Sequence, residues 1–437
     1  MKFNNPVVSQ IIKDYSYSQR AFLPKEILIP LTQEFETIYT SLVKEGDYVK
    51  EGGVIASYTN SNNETIYLHS PLPGKILEIG QCFSPDGKKD PCIKIKFGGS
   101  FSYLGKEHPV ISDDMIASSS IAKNLIDCGV INTFKTATPQ NLGLQINKIN
   151  SKDKKKKTNL VVRMFDEDPY RVTDSLMAKL FFEEIVKGAR IVAKAINAGG
   201  IVFAIDQKLA DKSFITNEKY SDIKFLEMNI KRYPCGTPRE IVSAFDRGSL
   251  KRFCTFELHK TDLFTDSSTI YEVYKACALS IPSIDKYVHF TGDCLNASCL
   301  LEVKLGTKLC DVITQIGGFS KEPALIVING LLCGNSIHSL DVPITKYVKS
   351  VEFISRNRTT DEQMNTCVNC GNCRFACPAK LSPDIIYNNT VNFKRLNENF
   401  AASVFACIEC GLCNTVCPAR LPLCQIITIL KNKLKEE

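Results

Sequence analysis

Alternation of apolar and polar residues dominates the first hundred positions of the chain. In residues 43–52 the two kinds of side chain alternate, and glycines stand where tight turns would fall. A second turn at residues 70–76 leads into another apolar stretch. Side chains of a strand point alternately to its two faces, so this pattern predicts strands with one buried face. We therefore expect residues 22–96 to form short strands separated by turns.

From residue 160 to about residue 280 the pattern changes to apolar runs that alternate with segments of helical period. Residues 160–165 and 201–205 are short apolar runs typical of buried strands, and residues 175–197 predict one helix. Thr237 and Pro238 are a typical N-cap and first-turn pair, so a further helix should begin there. Strands alternating with helices predict a layered α/β domain.

Residues 284–346 predict a smaller α+β unit. Strands are expected at residues 287–290 and 300–304, followed by a helix that begins at residues 306–307 and ends at residues 317–318. His289 is interpreted as a strand-face residue, because no partner Cys or His stands at metal-ligand spacing. With a last unit that carries paired cysteines, the predicted domains are 1–105, 110–282, 283–350 and 358–437.

Composition places the chain among globular proteins of several domains. A length of 437 residues exceeds what one core usually covers, and 44% apolar with 23% charged residues is ordinary for a soluble protein. Residues 1–19 lack the apolar region of an export signal, and polar residues interrupt the longest uncharged stretch, 323–340. Lysines 154–157 contribute to the net charge of +7; they favour a solvated linker over contact with anionic lipid.

Eight of the nineteen cysteines form two copies of C-x₂-C-x₂-C-x₃-C-P, 40 residues apart. Bacterial ferredoxins use this run to hold [4Fe–4S] clusters, and the fourth cysteine of each run ligates the other cluster. The predicted ligand sets are Cys367, Cys370, Cys373 and Cys417 for the first cluster, and Cys377, Cys407, Cys410 and Cys413 for the second. The room between the runs, at residues 382–403, favours a helical ferredoxin unit.

Zinc or plain buried thiols are the alternatives to the clusters. Zinc sites usually combine two C-x₂-C pairs that are separated by a longer gap, and they have four ligands in total. The doubled run therefore favours clusters. Gly371 and Gly411 should let the ligand loops bend, and Pro378 and Pro418 should turn the chain out of those loops. The other eleven cysteines are predicted to be mostly core residues; Cys424 fits neither cluster, which favours a packing role.

The first unit resembles the barrel-sandwich fold of lipoyl and biotinyl carriers. Its V-x-x-G-D-x-V-x-x-G and S-P-x-x-G-x-I segments carry the resemblance. Such carriers need a lysine at the tip of the central hairpin, and residues 57–64 contain none. We therefore expect a structural barrel without a swinging arm.

The order of segments along the chain resembles one family, the C subunit of the bacterial Rnf electron-transport complex. Similar segments are residues 22–31, 43–56, Asp168-Pro169-Tyr170 with Asp174, 291–293, 316–319 and 339–346, followed by both cysteine runs. The resemblance implies a multidomain α+β fold. Its parts would be an N-terminal barrel-sandwich hybrid, a complex I flavoprotein-like α/β domain, an SLBB-like β-grasp domain and a C-terminal helical dicluster ferredoxin domain.

The resemblance also implies a function. The chain would be a subunit of an ion-translocating oxidoreductase, a translocase, and would pass electrons through two [4Fe–4S] clusters. It would lie peripherally on the cytoplasmic side of the inner membrane, held by integral-membrane and other subunits. NADH or ferredoxin would be its redox partner, and no nucleic acid is expected. A soluble dicluster oxidoreductase of the cobalamin-reductase type and a non-flavin iron–sulfur scaffold are the alternatives; the order of units, barrel first and clusters last, favours the membrane-complex subunit.

Two departures from the family concern FMN. Its G-G-x-G-F-P stretch corresponds to residues 129–139, where only Gly129 and Pro139 persist, although Lys135 could still meet a phosphate. Its N-G-A-E-C-E-P-Y element corresponds to residues 163–170 and has lost Asn and Gly to Arg163 and Met164. Because each lost glycine adds a side chain where a flavin needs bare backbone, we predict weak or no FMN binding.

Overall fold

The computed structural model describes residues 19–151, 157–208, 212–358, 364–391 and 398–436. Residues 1–18 of the polar N-terminal stretch and lysines 154–156 therefore lie outside the described residues, as does part of the segment between the cysteine runs. The described chain begins with β1 Gln19–Arg20, which belongs to the sheet of the third unit. The strands of the first unit, in chain order, are β2 Glu26–Pro30, β3 Thr40–Ser41, β4 Tyr48–Val49, β5 Val54–Thr59, β6 Thr65–His69, β7 Gly74–Phe83 and β8 Lys89–Phe97.

Two antiparallel sheets, in the orders β2-β8-β7-β4 and β3-β5-β6, enclose the core of the first unit. Alternation along β2 and β8 decides which side chains are buried. Ile27 pairs with Ile95 and Ile29 with Ile93, and all four side chains are fully buried. The predicted β-structure is confirmed.

A parallel sheet forms the centre of the second unit, in the order β13-β12-β11-β14. The unit contains α1 Ser118–Asp127, β9 Ile131–Asn132, β10 Gln140–Asn141, α2 Leu142–Asn150, β11 Leu160–Arg163, α3 Thr173–Leu180, α4 Phe182–Ala195, β12 Ile201–Asp206, β13 Ile223–Met228, α5 Pro238–Arg247, β14 Leu263–Asp266 and α6 Ser267–Ala278. Every residue of β11 and β14 is buried, because apolar side chains pack on both faces of the sheet. The apolar runs predicted to be buried strands are confirmed.

One helix prediction for this unit is wrong and another is confirmed. Residues 175–197 do not form one helix, because the chain leaves helical geometry at Phe181, with φ −125° and ψ 37°, between α3 and α4. The Phe181 ring packs against Tyr271 and Tyr287, with centroids 4.5 Å and 5.0 Å away. Helix α5 begins as predicted, since the Thr237 hydroxyl accepts from the Glu240 N–H and Pro238 follows the cap.

The third unit is a mixed sheet in the order β1-β16-β15-β19-β17-β18 with one helix packed on it. Its elements are β15 Asp285–Thr291, β16 Cys299–Lys304, α7 Leu309–Gln315, β17 Pro323–Ile328, β18 Asn335–Ile337 and β19 Ser350–Ser355. His289 is a buried residue of β15, as predicted. Strand β1 pairs in parallel with β16, so the start of the described chain joins a sheet about 280 residues away.

Helices make up the described part of the last unit. They are α8 Asn372–Ala376, α9 Pro383–Val391, α10 Glu398–Phe405, α11 Leu412–Thr415 and α12 Leu423–Glu436. Across the described ranges, none of the helices combines the length and apolar character needed to cross a membrane.

Candidate iron–sulfur centres

Left-handed residues shape the two cysteine loops in the same way. Gly371 and Gly411 precede α8 and α11 with φ of +76° and +71°, and Asn369 and Glu409 stand two positions earlier with φ of 51° and 57°. Glycine adopts this conformation without strain, whereas other residues rarely do. The predicted bends at both glycines are confirmed, and each loop closes around a cavity.

Each cavity collects cysteines from both runs. The first is lined by Cys367, Cys370, Cys373 and Cys417, and the second by Cys377, Cys407, Cys410 and Cys413. They contain about 320 Å³ and 330 Å³ of space free of protein atoms, including the solvent at their mouths. The fourth cysteine of each run thus lies at the cavity of the other run. These are the two sets of side chains that the cysteine spacing predicts, and their ligation of iron stays a prediction.

The surroundings of the sulfur atoms fit a cluster. Backbone N–H groups of Leu381, Leu421 and Glu409 donate to the Sγ atoms of Cys377, Cys417 and Cys407 over 3.3 Å, 3.5 Å and 3.4 Å. Such hydrogen bonds stabilise cluster sulfur and help to set its potential.

A thiolate state at the second cavity requires a metal. Burial raises the pKa of the Cys410 thiol to about 11, so this side chain is protonated at neutral pH unless a metal displaces the proton. Among the described residues, no group of three or more His, Cys, Asp or Glu side chains is arranged to hold a single metal ion.

The two cavities differ in exposure. Cys370 at the first cavity is exposed, and nearby Met364, Val368 and Phe375 expose 66%, 66% and 92% of their surface. At the second cavity, Cys410 is only partly exposed. There the Tyr233 hydroxyl donates to the Cys410 carbonyl oxygen over 2.7 Å and lies 3.1 Å from the Cys333 Sγ.

The D-P-Y segment contacts the hairpin that touches the second cavity. The buried Asp168 carboxylate accepts from the N–H groups of Leu332 (2.7 Å) and Cys333 (2.9 Å), which lie between β17 and β18. Leu332 in turn packs against Gly411 of the second cysteine loop. Sequence reasoning missed Tyr233, Leu332 and Cys333, because no local pattern marks residues that meet only across domains.

The two segments that depart from the flavin pattern pack directly against each other. Arg163 is fully buried, and its guanidinium donates to the Phe134 and Gly236 carbonyl oxygens over 2.9 Å each. Its Cζ lies 4.2 Å from the centroid of the Phe134 ring. Lys135 is exposed and, together with Phe134, lines an open cavity. Arg163 and Phe134 therefore fill the space where these two segments meet.

A buried ion cluster lies beside these segments. Lys349 has no exposed surface, and its Nζ donates to Asp174 over 2.7 Å and to Asp266 over 2.6 Å. Burial alone would raise the pKa of the Asp266 carboxyl, yet Lys349 and Arg163 hold it well below its usual range. Asp174 and Asp266 belong to the second unit and Lys349 precedes β19, so this cluster joins two units.

Sequence families match both ends of the chain. The RnfC barrel sandwich hybrid domain matches residues 10–100, and two families described as 4Fe-4S dicluster domains match residues 366–421 and 335–382. Together with the mixed α/β middle, these matches define a multidomain iron–sulfur protein with an N-terminal barrel sandwich and a C-terminal dicluster region.

Relatives similar over most of the chain bear the name predicted from the sequence. The C subunit of the ion-translocating oxidoreductase complex of Rhodobacter capsulatus is 25% identical over 368 residues, covering 83% of this chain and 69% of the relative. The C subunit of the Na(+)-translocating ferredoxin:NAD(+) oxidoreductase complex of Acetobacterium woodii is 21% identical over 365 residues, covering 82% and 80%. The resemblance to the C subunit of Rnf complexes is confirmed.

A solved structure shows only a distant likeness. A chain of an NAD+-reducing [NiFe]-hydrogenase in the air-oxidized state aligns with a TM-score of 0.48 and 13% identity, covering 70% of this chain and 61% of that one. A likeness at this level carries no argument about function.

Proposed function

We propose that the chain is the peripheral electron-transfer subunit of a membrane-bound redox complex that couples electron transfer to ion translocation. It would pass electrons through two [4Fe–4S] clusters. The observation that carries the proposal is the pair of cavities, each with three cysteines of one run and the fourth cysteine of the other. The names of the Rhodobacter capsulatus and Acetobacterium woodii relatives agree with this function, and neither is a cobalamin-reductase name, the alternative weighed above.

The ligands follow from the cavities. Cys367, Cys370, Cys373 and Cys417 would hold the first cluster, and Cys377, Cys407, Cys410 and Cys413 the second. The clusters would supply one-electron chemistry, and the protein holds their sulfur ligands, donates N–H groups to them and limits their contact with water. Because each run supplies its fourth cysteine to the cluster of the other run, both clusters would lie within one small unit.

The exposure of the residues around each cavity suggests what each cluster would contact. The first cavity opens near exposed Cys370 and apolar Phe375, where a partner subunit can approach. The second cavity contacts the second unit through Tyr233 and the third unit through the Leu332–Gly411 contact. We propose that electrons exchange with a partner at the first cluster, and that NADH or ferredoxin stands at the other end of the complex's electron path.

The middle of the chain would keep the domain architecture of the family but would not bind flavin. We propose that the parallel-sheet unit corresponds to the complex I flavoprotein-like domain and the six-stranded unit to the SLBB-like β-grasp domain, with boundaries near residues 105, 282 and 350. Because Arg163 and Phe134 fill the space between the altered segments, the chain would transfer electrons without bound FMN. Integral-membrane subunits would hold it on the cytoplasmic side of the inner membrane.

Anaerobic reconstitution of the full chain tests the clusters. We expect about eight irons and eight sulfides per chain, with visible absorption typical of cubane clusters. A tightly bound single zinc without visible absorption would contradict the proposal.

Matched serine variants test the crossed ligation. Cys377→Ser should damage the cluster held by the second run and leave the first, whereas Cys417→Ser should do the reverse. EPR spectra of the reduced protein distinguish the two signals. If each variant damages instead the cluster of its own run, the crossed assignment is wrong.

A further inference from the structure

The two halves of the cluster unit differ at one equivalent position beside each cavity. A shift of 40 residues, which superimposes the cysteine runs, brings Asp384 of α9 onto Cys424 of α12. Asp384 lines the first cavity and Cys424 lines the second. At this position each cavity therefore has a side chain besides its four predicted ligands, the fifth side chain, and the two fifth side chains differ in chemistry.

In the second cavity the fifth side chain is the thiol of Cys424. The Cys424 N–H donates to Asn414 Oδ1 over 2.9 Å, which fixes this residue next to the second run. Only 8% of Cys424 is exposed, and its thiol lies beside the sulfurs of Cys407 and Cys413 at the same cavity. Once Cys407 and Cys413 are thiolate ligands they have no proton to give, so the single S–H of Cys424 can donate a hydrogen bond to one of them.

In the first cavity the fifth side chain is a carboxylate. Arg374, which a 40-residue shift places on Asn414, donates from its Nε to both Asp384 oxygens over 2.9 Å and 3.0 Å. The Asp384 side chain is 4% exposed and the Arg374 side chain 47%. The negative charge thus lies beside the cavity, whereas water screens much of the positive charge.

These side chains act in opposite directions on a cluster. A hydrogen bond donated to a ligand sulfur stabilises the more negative, reduced cluster, whereas a nearby carboxylate disfavours it; both are recognised determinants of potential. We propose that Cys424 is a positioning residue that raises the reduction potential of the second cluster without ligating it, while Asp384 lowers that of the first. The difference favours electrons on the second cluster. This inference rests on the proposed function, since both cavities must hold clusters.

Redox titration of the reconstituted full chain, followed by EPR, tests the inference. The signals are assigned with the Cys377→Ser and Cys417→Ser variants. Cys424→Ala should retain the iron content of the wild type and lower the midpoint potential of the second cluster alone. Cys424→Ser, which keeps an O–H donor, should return the potential toward the wild-type value.

A reciprocal double substitution tests the inference at the first cluster. Arg374→Asn combined with Asp384→Cys gives the first half the residues of the second, and should raise the potential of the first cluster. Cys277→Ala, which removes a buried thiol of α6, is the control and should shift neither potential.

Two outcomes overturn the inference while leaving the proposed function intact. Loss of about four irons in Cys424→Ala would make Cys424 a ligand. Unchanged potentials in both Cys424→Ala and the reciprocal variant would leave the two side chains with packing roles only. If instead the wild-type chain fails to bind two clusters, the proposed function itself is wrong.

Discussion

Arg163 shows how one residue changes what a site can hold. It stands where the family pattern has asparagine, and its buried charge is compensated by two carbonyl oxygens, the Phe134 ring and Glu167, whose carboxylate is 3.7 Å away. A buried cation is tolerated only with such partners, so the side chain is held in place. Arg163 therefore occupies this space.

The first prediction at this scale concerns flavin. The protein purified from a flavin-replete host should contain far less than one FMN per chain, because Arg163 and Phe134 fill the space between the two segments. Fluorescence of flavin released on denaturation measures it. Lys135→Ala, a change at an exposed position of the same loop, should leave the result unaltered. Stoichiometric FMN, or direct reduction of the clusters by NADH, would contradict this expectation.

The second prediction concerns Lys349. Lys349→Met removes the ammonium group that contacts two buried carboxylates, Asp174 and Asp266. Breaking a buried ion pair in this way costs about 3–5 kcal/mol of unfolding free energy. Arg190→Ala, in a surface pair with Asp222, should cost less than about 1 kcal/mol. Denaturant titration measures both, and equal losses would mean that the buried cluster is not stabilising.

At the scale of elements, two glycines with the same backbone conformation have different surroundings. A Cβ on Gly411 would lie 2.4 Å from the Leu332 carbonyl oxygen, whereas on Gly371 the nearest atom is 3.9 Å away in Phe375. Gly411 is therefore the point at which the second cysteine loop contacts the β17–β18 hairpin. Gly371 has no such neighbour among the described residues.

Substitution of each glycine by alanine separates backbone strain from contact. Gly371→Ala should cost about 1–2 kcal/mol of stability, the penalty of the left-handed conformation. Gly411→Ala adds overpacking worth about 1–3 kcal/mol more, and should loosen the last unit from the hairpin. Thermal unfolding and limited proteolysis of the last unit measure these effects. Equal behaviour of the variants would show that the Leu332 contact does not hold the units together.

At the scale of the whole molecule, membrane attachment should depend on partner subunits. Lysines near a membrane contribute about 1 kcal/mol each toward anionic lipid, and salt screens this attraction. We expect the chain to sediment with membranes of cells that contain its partners and to stay in the supernatant when produced alone. Membrane association that resists both high salt and alkaline carbonate would point to direct insertion.

The sequence by itself determined the features that depend on neighbouring residues. The ligand spacing, the left-handed Gly371 and Gly411, and the Thr237 cap are all set within a few residues, and the structure has the bends and the cap where the sequence predicts them. The buried strands of the parallel sheet were also predictable, because their burial on both faces leaves an uninterrupted apolar run.

Only the tertiary structure decided features that depend on residues far apart in the chain. Phe181 breaks a helix that its own periodicity predicts, because it packs between Tyr271 and Tyr287. Cys424 lines the second cavity, although its spacing suggested only packing, because Asn414 fixes the start of α12 there. Tyr233 reaches Cys410 across 177 residues. A local pattern reports the period and type of an element, whereas these contacts depend on how separate elements pack together.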